Sequence, residues 1–210
     1  MTKGTAGRPR AFDRDDALRR AAHLFWRHGF SGTSTRMLTA ALGISSSSLY
    51  AAFGTKGDLF AEAVRTYAHR YSDAYARAVR EPILPRVIER LLVDSAHEFT
   101  RSDDGHPGCL TSSAVMADAS ASLDVRAYVA ELQRDDERRL VTRIARAVTD
   151  RQVHPDTDPV AIAALVQTIW HGLSARAELG ATRDELIGVA THSATLISYG
   201  LDTNGITLTR

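Results

Sequence analysis

"LGISSSSLYAAF", Leu42 to Phe53, sets four consecutive serines in front of an apolar and aromatic run. Serine suits a helix interior poorly, because its hydroxyl competes for backbone hydrogen bonds. Leu49, Tyr50 and Phe53 nevertheless recur at the spacing of one helical face. Gly43 suits a tight turn just before them, and Ser45 suits a helix cap. The stretch reads as a short helix entered through a turn, with small hydroxyls displayed at its N-terminal end. Such groups can both donate and accept hydrogen bonds, and they are small enough to let a partner come close.

Upstream, Asp13 is a good cap for a first helix, with Asp15 and Asp16 placed to complement its positive end. Leu18, Ala21, Ala22 and Phe25 form its buried face, and Gly29 in "RHGF" is a natural stop. A second helix follows "SGTS", where Thr33 or Ser34 can cap it, and ends at Gly43. Helices of about ten residues are barely stable alone, so these three must pack together. The second and third, joined by "LGIS", match a helix-turn-helix over Ser34 to Phe53. In that motif the first helix braces across phosphates while the next puts its N-terminal residues into the major groove of DNA.

Charge points the same way. The whole chain balances 26 Lys and Arg against 25 Asp and Glu over 210 residues. Residues 1–57, however, hold nine basic and three acidic side chains, a net +6, which leaves −5 for the rest. Such an asymmetry suits an anionic partner for the basic part, although solvated helix faces alone can produce it.

Downstream, Thr55 and Asp58 make a capping-box pattern that opens a long helix ending by Pro82. Leu84 to Phe99 is cleanly amphipathic, "RSDDGHPG" is a loop, and a short helix is expected after Cys109. A long helix follows from Ser122 to Asp150. Asp158 and Pro159 start another that runs to Gly180, and Thr182 with Glu185 caps the last. No strand pair or repeat is evident. The expected fold is all-α with about nine helices: an N-terminal three-helix helix-turn-helix DNA-binding domain and a longer helical C-terminal domain. The divisions are a flexible basic arm over 1–12, a helix-turn-helix domain over 13–57, a connecting long helix over 58–82, a C-terminal domain over 83–200, and a polar tail over 201–210.

The run "ALRRAAHLFWRHGFSGTSTRMLTAALGISSSSLYAAFGTKGDLF" resembles the TetR family of bacterial transcriptional regulators. The resemblance lies in Gly29-Phe30, the Thr/Ser cap, the "LGIS" turn, Leu49-Tyr50, and Phe53 followed by Lys56 and Leu59-Phe60. The chain departs from the family pattern with Leu38-Thr39 where Ile-Ala is frequent, and with Ala52 where a histidine is common. The resemblance implies that Thr35 and Arg36 meet phosphate and a base edge, and that Ser46, Ser47 and Ser48 read bases or phosphates. It further implies that Tyr50 touches a phosphate or a thymine methyl and that Lys56 holds the DNA backbone. Leu38, Leu42, Ile44, Leu49 and Phe53 would be core. Arg8 and Arg10 in "GRPR" fit an arm entering a minor groove and fit a disordered tail equally.

For the C-terminal domain the resemblance implies a homodimer built on the last two long helices and repression of a double-stranded operator relieved by a small-molecule inducer. Tyr67, Tyr71, Phe99, Tyr128 and Trp170 are candidates to line a ligand pocket, although aromatic residues at helical spacing are more often plain core. "HPGCL" places Cys109 three residues after His106, a candidate sensor if its pKa is lowered and an ordinary buried hydrophobe otherwise.

Other functions fit less well. A hydrolase using Cys109 with His106 or His97 lacks an orienting third group. A metal site from His97, His106, Cys109 and His154 lacks close ligand spacing, so no metal and no cofactor are expected. A structural adaptor would also be dimeric and helical but need not bind DNA in a salt-dependent way. No apolar stretch of about 18 residues exists to span a membrane. "MTKGTAGRPRAF" leads into "DRDDALRR" instead of an apolar signal core, and a single cysteine cannot form an internal disulfide. The expected location is the cytoplasm.

Overall fold

The computed structural model describes residues 12–101, 107–112 and 123–203. Among them are α1 (Arg14–Gly32), α2 (Thr35–Leu42), α3 (Ser46–Phe53), α4 (Lys56–Ala78), α5 (Leu84–Phe99), α6 (Leu123–Thr149), α7 (Pro159–Glu178) and α8 (Arg183–Thr203). A further turn of helix opens at Leu110, and the described residues contain no strand. Among the described residues no helix is long and apolar enough to cross a membrane. The arm with Arg8 and Arg10, residue His106 and most of the short helix expected after Cys109 lie outside the described residues.

Local sequence explains the helix ends. Asp13 accepts hydrogen bonds from the amides of Asp15 and Asp16, so α1 begins where a carboxylate can satisfy its free N–H groups. Gly29, at φ 68° and ψ 176°, breaks α1, and Phe30 to Gly32 form a separate last turn. Ser34, not Thr33, caps α2. Thr33 is buried, and its hydroxyl bonds back to the Gly29 carbonyl at 2.7 Å. The Thr55–Asp58 capping box is complete, and the Thr55 hydroxyl and amide hold the Asp58 carboxyl below its ordinary value. α4 stops at Ala78, before Pro82, in overlapping turns where Arg80 and Glu81 bond the carbonyls of Arg77 and Ala78. At the other end, the expected polar tail begins later than Leu201. α8 continues to Thr203, because Leu201 is fully buried and its carbonyl accepts from His154 N–H at 2.9 Å.

Two hydrophobic cores result. The first joins Leu18, Phe25, Trp26, Leu38, Leu49 and Phe53 to Leu59, Phe60, Ala63, Val64 and Tyr67 of α4. Leu110, and Val125 with Val129 of α6, also pack into it. The second joins Tyr75 and Ala78 of α4 to the apolar faces of α5 to α8, with Phe99, Trp170 and Ile197 near its centre. α4 therefore belongs to both cores. α6 does as well, since Leu140 and Ile144 near its far end are in the second. A displacement of either helix is felt on both sides.

Candidate nucleic-acid interface

The site is assembled from the ends of short helices. Between α2 and α3, Gly43 adopts φ 68° and ψ 30°, the left-handed conformation that costs a side-chain-bearing residue about 1–2 kcal/mol. Its N–H and that of Ile44 both reach the Thr39 carbonyl, at 3.0 and 3.2 Å, which closes the turn. Leu38, Leu42, Leu49 and Phe53 are buried beneath it, and Ile44 is packed against them partly buried. The pair α2–α3 is thus fixed from below by apolar side chains, and its upper surface is free to be polar.

That surface carries the residues singled out in the sequence. Arg36, Ser46, Ser47 and Tyr50 are exposed, while Thr35 and Ser48 are partly exposed. The four serines divide their labour. Ser45 accepts from the Ser48 amide at 3.1 Å, and its Oγ lies 2.8 Å from Ser47 Oγ and 2.9 Å from Ser48 Oγ. Ser45 is the cap and the hub of a small hydroxyl network. Ser46 stands outside that network, exposed at the first position of α3. The amides at this helix start complement a phosphate or a base acceptor.

Lys56 is placed differently from the others. Its Nζ donates to the carbonyls of Phe30 and Thr33 at 2.9 and 3.0 Å and sits 4.1 Å from the centre of the Phe30 ring. Two of the three ammonium donors thus staple α4 to the end of α1 and to the α1–α2 turn. A second staple was not apparent from the sequence. Arg14 forms a two-pronged ion pair with Glu62 at 2.6 and 2.8 Å and lies over the Phe53 ring at 4.6 Å, tying α1 to α4 across α3. The i to i+48 separation of this pair leaves no local signal.

The aromatic residues divide between the two cores. Tyr71 and Trp170 line a cavity between α4, α6 and α7, and Phe99 packs against them, tilted to Tyr71 at 5.7 Å and edge-on to Trp170 at 5.1 Å. Tyr67 packs edge-on to Trp26 in the first core, and Tyr128 packs there beneath the Arg65 guanidinium. Cys109 is fully buried, with Sγ 2.8 Å from Thr111 Oγ1. Burial pushes its thiol pKa up, opposite to the lowered value a reactive sensor thiol requires. His97 is exposed on the last turn of α5, while His154 sits in the loop before α7. No three metal-ligating side chains come together among the described residues.

A rigid turn, a short helix presenting hydroxyls at its N-terminus and an exposed arginine on the preceding helix define a helix-turn-helix nucleic-acid-binding protein. Residues 17–63 match the family described as "Bacterial regulatory proteins, tetR family", and residues 84–192 match "Tetracyclin repressor-like, C-terminal domain". The chain is 30% identical over 194 residues to the HTH-type transcriptional repressor ComR of Escherichia coli K12, covering 90% of each. It is 28% identical to the repressor BdcR of the same organism, covering 93% of this chain and 94% of BdcR. Among solved structures, a cysteine-substituted TetR family regulator, CifR, bound to 26-bp double-strand operator DNA, superposes with a TM-score of 0.76. That match is 33% identical and covers 90% of this chain and 98% of CifR. The chain belongs to the TetR family of bacterial transcriptional regulators.

Proposed function

We propose that the protein is a homodimeric transcriptional repressor that binds a palindromic DNA operator and leaves it when a small-molecule inducer occupies the C-terminal domain. The observation that carries this reading is the α2–α3 surface, where Arg36, Ser46, Ser47 and Tyr50 stay exposed above a closed apolar core. Arg36 is long enough to grip guanine by two hydrogen bonds, and the serines suit close contact with base edges or phosphates. Thr35, Ser48 and Lys56 complete the contact set, Lys56 through the one donor that the protein leaves over. The relatives named as repressors, and the operator complex of CifR, support the same reading.

The dimer is supported by composition and exposure together. Residues 159–175 of α7 and 186–201 of α8 contain no Asp, Glu, Lys or Arg. Leu165, Val189, Leu196 and Tyr199 are nonetheless exposed there, Leu196 at 73% and Tyr199 at 71%. An uncharged, apolar face of that kind asks for a partner. A second copy supplies one by pairing the same two helices across a two-fold axis. Two recognition helices would then read major grooves about 34–36 Å apart, which is why the operator is expected to be palindromic. On this reading the protein works in the cytoplasm. Redox sensing through Cys109 is the weaker alternative, because the thiol is buried and its pKa is raised.

The test is selection of fragmented genomic DNA from the source organism on purified protein near physiological salt, with Arg36→Ala alongside. A palindromic site should be enriched by wild type and weakened or relaxed in sequence by the variant. Retention of DNA no better than non-specific background would overturn the reading.

A further inference from the structure

Between α4, α6 and α7 lies a narrow cavity of about 40 Å³, room for about three water molecules as it stands. Its lining includes Tyr71, Ser72 and Tyr75 of α4, Asp136 of α6, and Gln167 and Trp170 of α7. Three aromatic rings and one carboxylate meet there, and no lysine or arginine lines it among the described residues. Trp170 Nε1 donates to Ser95 Oγ at 2.8 Å and the Tyr71 hydroxyl to the Gly108 carbonyl at 3.1 Å. With their polar ends held by the protein, these two rings offer a ligand mainly π surface.

Asp136 is the unusual member. Its Oδ2 accepts from Ser72 Oγ at 3.2 Å. Its Oδ1 faces Arg139, one turn along the same helix, at 3.4 Å. That guanidinium is half in solvent, and a long contact of this kind compensates little charge. Burial pushes the Asp136 carboxyl up to about 6, so at neutral pH it is ionised and poorly solvated.

We propose that this cavity recognises a small organic ammonium ion, its charge held by Asp136 and its substituents set against Tyr71, Tyr75 and Trp170. The proposal rests on the reading of the chain as an inducer-released repressor and names the chemical class of that inducer. A carboxylate and aromatic faces both attract a cation. An anion would meet an undercompensated negative charge, and a neutral apolar compound would bury that charge without a partner.

The position also explains how occupancy would reach the DNA. The Ser72–Asp136 hydrogen bond joins α4 to α6 beside the cavity. A ligand that exceeds the present volume and recruits Asp136 separates those two helices. α4 is the helix whose first turns carry Lys56, Leu59 and Phe60 in the DNA-binding core. A ligand with higher affinity for the separated arrangement shifts the population toward it.

Butylammonium is the probe, with butanol and butyrate as its uncharged and anionic matches. Each is titrated into the full chain and into Asp136→Asn, and binding is read by calorimetry and by tryptophan fluorescence. Each is also added to the protein–DNA complex obtained in the selection above. Butylammonium should bind wild type, with affinity at least about tenfold lower in Asp136→Asn. Butanol should bind weakly and equally to both, butyrate to neither, and Asp136→Glu should recover part of the cation affinity. Butanol binding wild type as well as butylammonium, measurable binding of butyrate, or no binding by any of the three would overturn the proposal, and these comparisons hold even if the Asn variant is unstable. Unchanged affinity in a folded Asp136→Asn would also overturn it. Cation binding without DNA release supports the cation site and overturns its inducer role, whereas a protein that binds the cation and never selects DNA overturns the repressor reading alone.

Discussion

Phe25, Phe60 and Leu38 close one core from beneath a set of short helices whose ends face outward, while Phe99, Trp170 and Leu91 close another from inside a bundle of long ones. In the first region the candidate chemistry sits on the outer surface, at caps and first turns, where a rigid interior sets its geometry. In the second it sits between helices, lining a narrow cavity. The first region also spreads hydroxyls and positive charge over its exposed face. The second leaves α7 and α8 without charge along most of their length. On the proposed reading one half presents a fixed surface and the other deforms around a ligand, with α4 and α6, which contribute to both cores, carrying the deformation between them.

The most severe test of that division is its independence. Phe60→Ala removes a fully buried ring that packs edge-on to Phe25 at 5.0 Å, and Phe99→Ala removes one packed against Trp170 at 5.1 Å. Each should cost about 3–5 kcal/mol. Because α4 and α6 contribute to both cores, urea unfolding should remain one cooperative transition in either variant, shifted to lower denaturant. Two separated transitions in Phe60→Ala would show that the halves fold separately and would break the mechanical link.

Next in size is a change on the outside of the second region. Leu196→Glu puts a carboxylate on a face that is exposed within one chain and, as proposed, buried between two. Burying that charge should weaken self-association at least about a hundredfold while leaving the stability of the single chain within about 0.5 kcal/mol. Light scattering across a dilution series reads the mass. A dimer that survives unchanged would place the interface elsewhere.

The two regions were also unequally legible in the sequence. Capping is local, so Asp13, Ser45, the Thr55–Asp58 box and the Gly43 turn could be read from residues one to three positions apart. Periodicity likewise revealed Leu38, Leu49 and Phe53 as core. Contacts closed by tertiary packing left no such trace. The Arg14–Glu62 staple, the Ser72–Asp136 bond and the seating of Tyr67 and Tyr128 in the first core depend on helices meeting across more than 40 residues of chain. Asp136 itself sits in "QRDDERR", where sequence alone shows only an ordinary charged helix face.

Lys56 tests whether a surface residue of the first region serves the fold, the DNA or both. Lys56→Met keeps the apolar stem and deletes the ammonium, leaving the Phe30 and Thr33 carbonyls without that donor and the Phe30 ring without its cation. The expected loss is about 1–3 kcal/mol of stability. If the remaining donor also meets phosphate, the salt dependence of DNA binding should become shallower by about one unit of slope. A destabilised variant with an unchanged slope would make Lys56 a staple and nothing more.

The smallest effects separate two adjacent serines. Ser45 accepts the Ser48 amide and anchors the hydroxyls of Ser47 and Ser48, so Ser45→Ala should cost about 1 kcal/mol, read as a lowered melting temperature. Ser46 is exposed at the first position of α3 and outside that network, so Ser46→Ala should change stability by less than about 0.5 kcal/mol. Its effect should appear instead in the affinity for the selected operator, and not in non-specific binding. The reverse pattern, stability lost at Ser46 and DNA affinity untouched, would mean that the serine block serves the helix and that the reading surface lies nearer Arg36. A melting temperature lowered by Ser45→Ala alone, with operator affinity lost selectively in Ser46→Ala, would show that one residue of the block is held out for the DNA while its neighbour holds the helix in place.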